Sequence, residues 1–230
     1  MTRLAELTSP EVSRQAAGAV LVLPLGSTEQ HGPHLPLSTD TDLAVELCRR
    51  LAAARPSAVL APPIAYGSSG EHRGFAGTLS IGQAALELLL VEFGRSATET
   101  FDRVLVVSAH GGNAEPLQRA VSVLRSESRD VRSWMPRWDG DPHAGRTETS
   151  LQLAMAPHRV REDRAEAGDT RPVRELLPLL RTSSVRAISP NGVLGDPAGA
   201  NAAEGHSLLD TLATDLLSCF DSGWSPRETG

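Results

Sequence analysis

The segment Glu29-Gln-His31-Gly-Pro-His34-Leu-Pro-Leu-Ser-Thr-Asp40 gathers carboxylate and imidazole side chains directly after an apolar run at 19–25. Imidazole nitrogens mixed with carboxylate oxygens suit Zn(II), Fe(II) or Mn(II), and the residue types alone do not choose among them. A divalent ion held this way with one position open lowers the pKa of bound water from about 16 to about 7, so hydroxide is available at neutral pH. The chemistry to expect is metal-assisted hydrolysis.

Two further clusters carry the same residue types. Ser108-Ala-His110-Gly-Gly-Asn113 follows the run Val104-Leu-Val-Val107, so His110 stands where a second strand ends. Asn113 reads first as the N-cap of the next helix and second as a substrate contact. Asp141-Pro-His143-Ala-Gly-Arg-Thr-Glu148-Thr-Ser150 puts an imidazole on a loop and a carboxylate in the first turn of a helix. A first-turn acid also has a plain dipole role, which is the alternative account of Glu148. His34 reads as a support for its neighbours. Glu71 and His72, in a Gly-rich loop, divide between substrate contact and solvated turn, and His158 and His206 read as surface residues.

These groups need a scaffold that brings strand ends together. Short apolar runs at 20–25, 58–62, 104–109 and 131–134 read as strands. Segments 41–54, 83–100, 115–128, 147–156, 173–181 and 198–220 read as helices, several with apolar residues at three- and four-residue spacing. That alternation predicts an α/β fold with a mostly parallel central sheet covered on both faces. Open sheets of this kind bind at the carboxyl ends of their strands, which is where Glu29, His31 and His110 fall. The expected organisation is a single domain over residues 1–230, with its core at about 19–220, the first dozen residues and 222–230 reading as loose ends.

Composition narrows the function classes. A chain of 230 residues that is 40% hydrophobic buries a full core, yet only 3% aromatic content means aliphatic residues must fill it. The net charge of −6 argues against nucleic acid. All 22 basic residues are Arg, which removes lysine Schiff-base chemistry and the phosphate-binding P-loop together. Cys48 and Cys219 lack a CxxC pattern and read as reduced thiols rather than a disulfide. The apolar stretch at 16–25 is too short to cross about 30 Å of hydrocarbon, so no membrane partner and a cytoplasmic location are expected. No GxSxG elbow supports a serine nucleophile.

The chain resembles the creatininase (creatinine amidohydrolase) family. The resemblance rests on Leu25-Gly-Ser-Thr-Glu-Gln-His-Gly-Pro-His-Leu-Pro-Leu37 through Asp40, His110-Gly-Gly-Asn113 and His143-Ala-Gly-x-x-Glu-Thr149, and extends to Ala65-Tyr-Gly-Ser-Ser-Gly-Glu-His72, Phe75-Ala-Gly-Thr78 and Gly192-Val-Leu-Gly-Asp-Pro197. It implies a three-layer α/β/α sandwich, a homo-oligomer and one or two divalent metals per subunit, with Fe(II) favoured and Zn(II) or Mn(II) as alternatives. By the same resemblance Glu29, His31, Asp40 and His110 are metal ligands, Asp40 bridges, and His143 moves a proton to the leaving nitrogen. Asp42 is the nearby rival to Asp40 and reads as a first-turn helix acid. The family pattern also has a Glu two residues after the His that matches His110. Gly112 stands there in this chain, and Glu148 is the candidate replacement ligand.

Within the family the chain looks most like members that act on a modified ribosomal precursor peptide, cutting the Gly–Val amide before a decarboxylated, cross-linked Val-Tyr pair. The small product is mostly apolar, so Trp134 or Trp138 is expected on a pocket wall, with core packing as the alternative. Hydrolysis of a small cyclic amide or formamide, and a non-catalytic metal-binding scaffold, are the competing functional readings.

Overall fold

The structure is a computed structural model that describes residues 1–137 and 140–223. Among the described residues five strands form one sheet: β1 (Thr2–Arg3), β2 (Val20–Leu25), β3 (Ala58–Leu60), β4 (Arg103–Ser108) and β5 (Asp130–Trp134). Their order across the sheet is β1-β3-β2-β4-β5, and every pairing is parallel. The helices are α1 (Ser9–Gln15), α2 (Thr39–Ala54), α3 (Gly82–Ala97), α4 (Ala114–Ser126), α5 (Arg146–Met155), α6 (Val173–Thr182), α7 (Val185–Ile188) and α8 (Ala202–Gly223).

The central strands are apolar at nearly every position because both of their faces are buried. Val20 and Val22 of β2, with Leu105 and Val107 of β4, pack under α2, α5 and α8 through Leu43, Leu47, Leu151, Leu209 and Leu216. The alternate residues Leu21, Leu23, Leu25, Val104 and Val106 face α3 and α4 through Leu86, Leu90, Leu117 and Leu124. The result is the expected α/β/α sandwich. Pro24 is tolerated in a central strand because its carbonyl accepts from Ile64 N–H on the β3 side, beyond the residues at which β3 pairs. The missing proline N–H therefore interrupts no ladder bond there.

Connectivity creates the crevice. From β2 the chain crosses by α2, on one face, to β3; from β4 it crosses by α4, on the opposite face, to β5. β2 and β4 are neighbours in the sheet, so their outgoing loops diverge and leave a gap above the two strand ends.

Two expectations are corrected. The first dozen residues are not a loose end: β1 adds an edge strand to β3, and α1 begins with Thr8 N–H donating to the Glu11 carboxylate at 2.7 Å. Leu4 and Val12 then pack against the α3/α4 side of the core. Trp134 does not line a pocket: it is buried among the residues under α8, and its Nε1–H donates to Asp215 Oδ2 at 2.8 Å. A strand of alternating orientation sends it to the helix-covered face, not to the open strand end. Trp138 lies outside the described residues.

Because that indole joins β5 to α8, Trp134→Phe is expected to lower unfolding free energy by about 1–2 kcal/mol, with the midpoint of a urea titration as the readout. An unchanged midpoint would mean that this contact does not hold α8 down.

Candidate metal centre

The crevice collects side chains from four segments. Glu29 and His31 come from the turn after β2, Asp40 from the first turn of α2, His110 from the end of β4, and Glu148 from the first turn of α5. All five are buried. Asp40 sits between the two histidines: its Oδ1 is 3.4 Å from His31 Nε2 and its Oδ2 is 3.5 Å from His110 Nδ1. Glu29 Oε2 is 3.3 Å from His110 Nε2, and Glu148 Oε2 is 3.8 Å from His31 Nε2. Glu29, Asp40 and His110 form one group able to hold a metal, and His31, Asp40 and Glu148 form another that shares Asp40. A third group joins Glu29, His31 and His143.

Backbone carbonyls orient the rings. A carbonyl only accepts, so His31 donates its Nδ1–H to Glu29 O at 3.2 Å and turns Nε2 toward Asp40 and Glu148. His110 likewise donates Nε2–H to Ser68 O at 3.0 Å and turns Nδ1 toward Asp40. Fixing the far ring nitrogen in this way is how proteins present imidazole to a metal. Glu29 is steadied by the Ser27 hydroxyl, which donates to Oε2 at 2.9 Å and in turn contacts the Ser69 hydroxyl.

The donor set fits a divalent cation. Glu29 Oε1, His31 Nε2 and Asp40 Oδ2 are buried without a hydrogen-bond partner, and such atoms are costly unless something binds them. Burial pushes the Glu29 carboxyl up to about 7, with the Asp40 charge adding to the rise against the pull of His110 and His31. Burial also raises Glu148. Asp40 remains below the ordinary carboxylate range because His31 and His110 outweigh the cost of its burial. Burial disfavours the cation of His31, yet Asp40, Glu148 and Glu29 raise it to about 10. His110 rises to about 9 in the same way, under Glu29, Asp40 and Glu71. Three buried carboxylates thus call for positive charge among them, and a divalent ion supplies it.

The crevice opens into a cleft of about 910 Å³. Its inner end holds Glu29, Asp40, His110, His143 and Glu148, and its rim carries Glu71, Arg73, Gln83 and Glu115. Among the described residues the apolar part of the wall is aliphatic, made by Met135 and Pro136 after β5, Val173 and Leu180 of α6, Val185 of α7, and Leu194. A smaller cleft, about 550 Å³, lies between Thr98 and Asp130 at the amino ends of β4 and β5, away from these groups.

Other sequence candidates have definite places. Asp42 faces away, accepting from Arg159 Nη1 at 2.8 Å. His34 is buried behind His31 and bonds Thr149 Oγ1 at 2.9 Å. His72 lies beside Glu29, Nε2 to Oε1 3.3 Å, and is buried rather than part of a solvated turn. Glu71 is at the cleft mouth, its Oε1 3.6 Å from His110 Nε2. A Cβ at Gly112 would lie 2.5 Å from both Glu71 Oε1 and His110 Nε2, so the carboxylate missing from position 112 has no room there. Glu148 stands against His31, its Oε2 3.8 Å from Nε2.

Asn113 neither caps the helix with its side chain nor lines the cleft. It is fully buried, accepting from Ser68 N–H at 2.9 Å and donating to Gly26 O at 3.0 Å, and so ties together the loops after β2, β3 and β4. Sequence reasoning missed Gln30, Ser27 and Ser69. A polar residue between two candidate ligands, on a turn leaving a fully buried strand, was the available signal for Gln30.

Residues 5–220 match the creatinine amidohydrolase family. The chain belongs to the creatininase family. This creatininase-family chain is 50% identical over 220 residues to a mycofactocin precursor peptide peptidase of Mycobacterium ulcerans, covering 91% of the chain and 87% of the relative. It is 48% identical over 229 residues to a protein of the same name from Mycolicibacterium smegmatis, covering 95% of the chain and 91% of the relative. Creatinine amidohydrolase of Pseudomonas putida is 27% identical over 256 residues, covering 96% of each. Among solved structures, the crystal structure of creatinine amidohydrolase superposes with TM-score 0.85 at 23% identity, covering 98% of this chain and 99% of that one. A manganese form of creatininase gives TM-score 0.84 at 24% identity, again over 98% and 99%. These superpositions establish the creatininase fold.

Asn113→Ala strands a buried N–H and a buried carbonyl, so it is expected to cost about 2–4 kcal/mol in chemical denaturation. A cost near zero would show that the three loops are held by other contacts.

Proposed function

We propose that this chain is a divalent-metal-dependent peptidase acting on the mycofactocin precursor peptide, cutting the Gly–Val amide ahead of a decarboxylated, cross-linked Val-Tyr pair. The observation that carries the metal-hydrolase reading is Asp40, whose two oxygens face two oppositely oriented histidines in a buried, carboxylate-rich crevice. The peptide assignment is supported by the half-identity to relatives named for that substrate. It is supported also by a cleft of about 910 Å³, roomy for a peptide segment and larger than a small cyclic amide requires.

Glu29, Asp40 and His110 would hold one ion and His31, Asp40 and Glu148 a second. When bound, the metal supplies a Lewis acid for the amide carbonyl and a water that ionises near neutral pH; Fe(II) is our choice, ahead of Zn(II) and Mn(II).

The remaining steps belong to the chain. His143 donates Nε2–H to Gln30 O at 2.8 Å, which leaves Nδ1 as a lone pair on the side of Glu29. Burial together with the charge on His31 holds His143 well below the ordinary histidine range, so it is neutral and able to take up a proton at Nδ1 and pass it to the departing amine. The aliphatic wall from Met135 to Leu194 suits the apolar released fragment, while Glu71, Arg73 and Gln83 border the approach of the upstream peptide.

Mass spectrometry of the cross-linked precursor after incubation with the protein and Fe(II) or Zn(II), beside a chelated control, tests this reading. Metal-dependent loss of the modified Val-Tyr fragment is expected. An intact peptide with metal bound would direct attention to cyclic amides and formamides instead. In parallel, Asp40→Asn should lose both ions by elemental analysis and abolish turnover. His143→Gln should retain its metal and lose about 10²–10⁴-fold in kcat; loss of metal from His143→Gln would make His143 a ligand.

A further inference from the structure

Gln30 is almost fully buried, and its side-chain amide touches four polar groups. Two of them are backbone groups that cannot change role. Gly32 N–H donates to Oε1 at 2.9 Å, and Gly192 O accepts from Nε2 at 3.0 Å. The amide orientation is therefore set by the backbone alone, oxygen toward Gly32 and nitrogen toward Gly192. The approach is tight, because a Cβ on Gly192 would collide with Gln30 Oε1. Gln30 N–H also donates to Thr78 Oγ1 at 3.1 Å, which steadies the residue from a third side.

With the amide fixed, the hydrogens on two histidines follow by elimination. Gln30 Nε2 has two hydrogens, and one is used on Gly192 O. The other faces His72 Nδ1 at 2.9 Å and His143 Nε2 at 3.0 Å. His143 Nε2 also lies 2.8 Å from Gln30 O, which only accepts, so this nitrogen carries its own hydrogen and cannot receive another. The second amide hydrogen goes to His72 Nδ1. His72 then bears its hydrogen on Nε2, which points at Glu29 Oε1 3.3 Å away.

We infer that Gln30 is a positioning residue that sets the tautomers of both histidines: its side-chain amide places the His72 hydrogen on Nε2, on the side of Glu29, and its backbone carbonyl makes His143 a bare-Nδ1 acceptor toward the crevice. One residue, placed between two candidate metal ligands, thereby decides which nitrogen of each ring carries the hydrogen and which presents a lone pair. No hydrogen bond from Gln30 to substrate is required. The catalytic value of this arrangement rests on the hydrolase reading above, whereas the placement of the hydrogens does not.

The test is nitrogen-15 NMR of the imidazole rings in the intact, metal-free protein at neutral pH, with resonances assigned by loss of signal in His72→Asn and His143→Asn. Both rings are expected to show a protonated Nε2 and an unprotonated Nδ1. Gln30→Glu replaces the donor facing His72 with an acceptor and should bring a hydrogen onto His72 Nδ1, leaving the His143 pattern unchanged because its partner is the backbone carbonyl. A wild-type spectrum with hydrogen on Nδ1 of either ring overturns the inference. So does a folded Gln30→Glu protein in which His72 is unaltered. If that variant fails to fold, the wild-type spectrum still decides, and neither readout depends on which peptide or amide is cleaved.

Discussion

Burying several carboxylates in one place is the constraint around which this molecule is arranged. Glu29, Asp40 and Glu148 are removed from water within a few ångströms of two histidines, and no Arg side chain is hydrogen-bonded to any of the three among the described residues. Isolated charges of one sign in such surroundings are expensive. The surface arginines are spent elsewhere, for example on Glu46, Glu127 and Glu204. The crevice is left to be neutralised by imidazolium or by a divalent cation, and the unpartnered atoms of Glu29, His31 and Asp40 mark where the cation is wanted.

The fold meets this constraint with rigid parts. Two adjacent parallel strands deliver Glu29, His31 and His110, while the first turns of α2 and α5 deliver Asp40 and Glu148. Helix amino ends favour carboxylates electrostatically, so these acids occupy positions that offset part of their desolvation. The loops between are fastened by buried polar bonds, chiefly those of Asn113 and Gln30. Holding reactive groups on strand ends and helix starts, with a further ring of bonds behind them, is what gives such a site its geometry.

Much of the site was legible because ligand chemistry and strand ends are both local. Glu29, His31 and His110 each follow an apolar run at once, and the alternation of strand-like and helix-like segments was enough to foresee a parallel sheet. What misled were the aromatics and the amino terminus. Trp134 looked like a pocket residue from its nearness to the motifs, but strand alternation turns it under α8. The first residues have no periodicity to read, since a two-residue strand gains its meaning only from the edge of β3.

The sequence by itself determined the α/β class, the absence of lysine chemistry, and the carboxylate and imidazole donors, since these depend on residue type and on spacing within one segment. Tertiary structure alone decided that Glu148 lies against His31, that Asn113 is a clamp, and that Gln30 lies between His72 and His143. Each of those is a relation between loops separated by tens of residues. Such relations arise only when the switch in strand order opens a crevice and the packed helices fix which side chains turn into it.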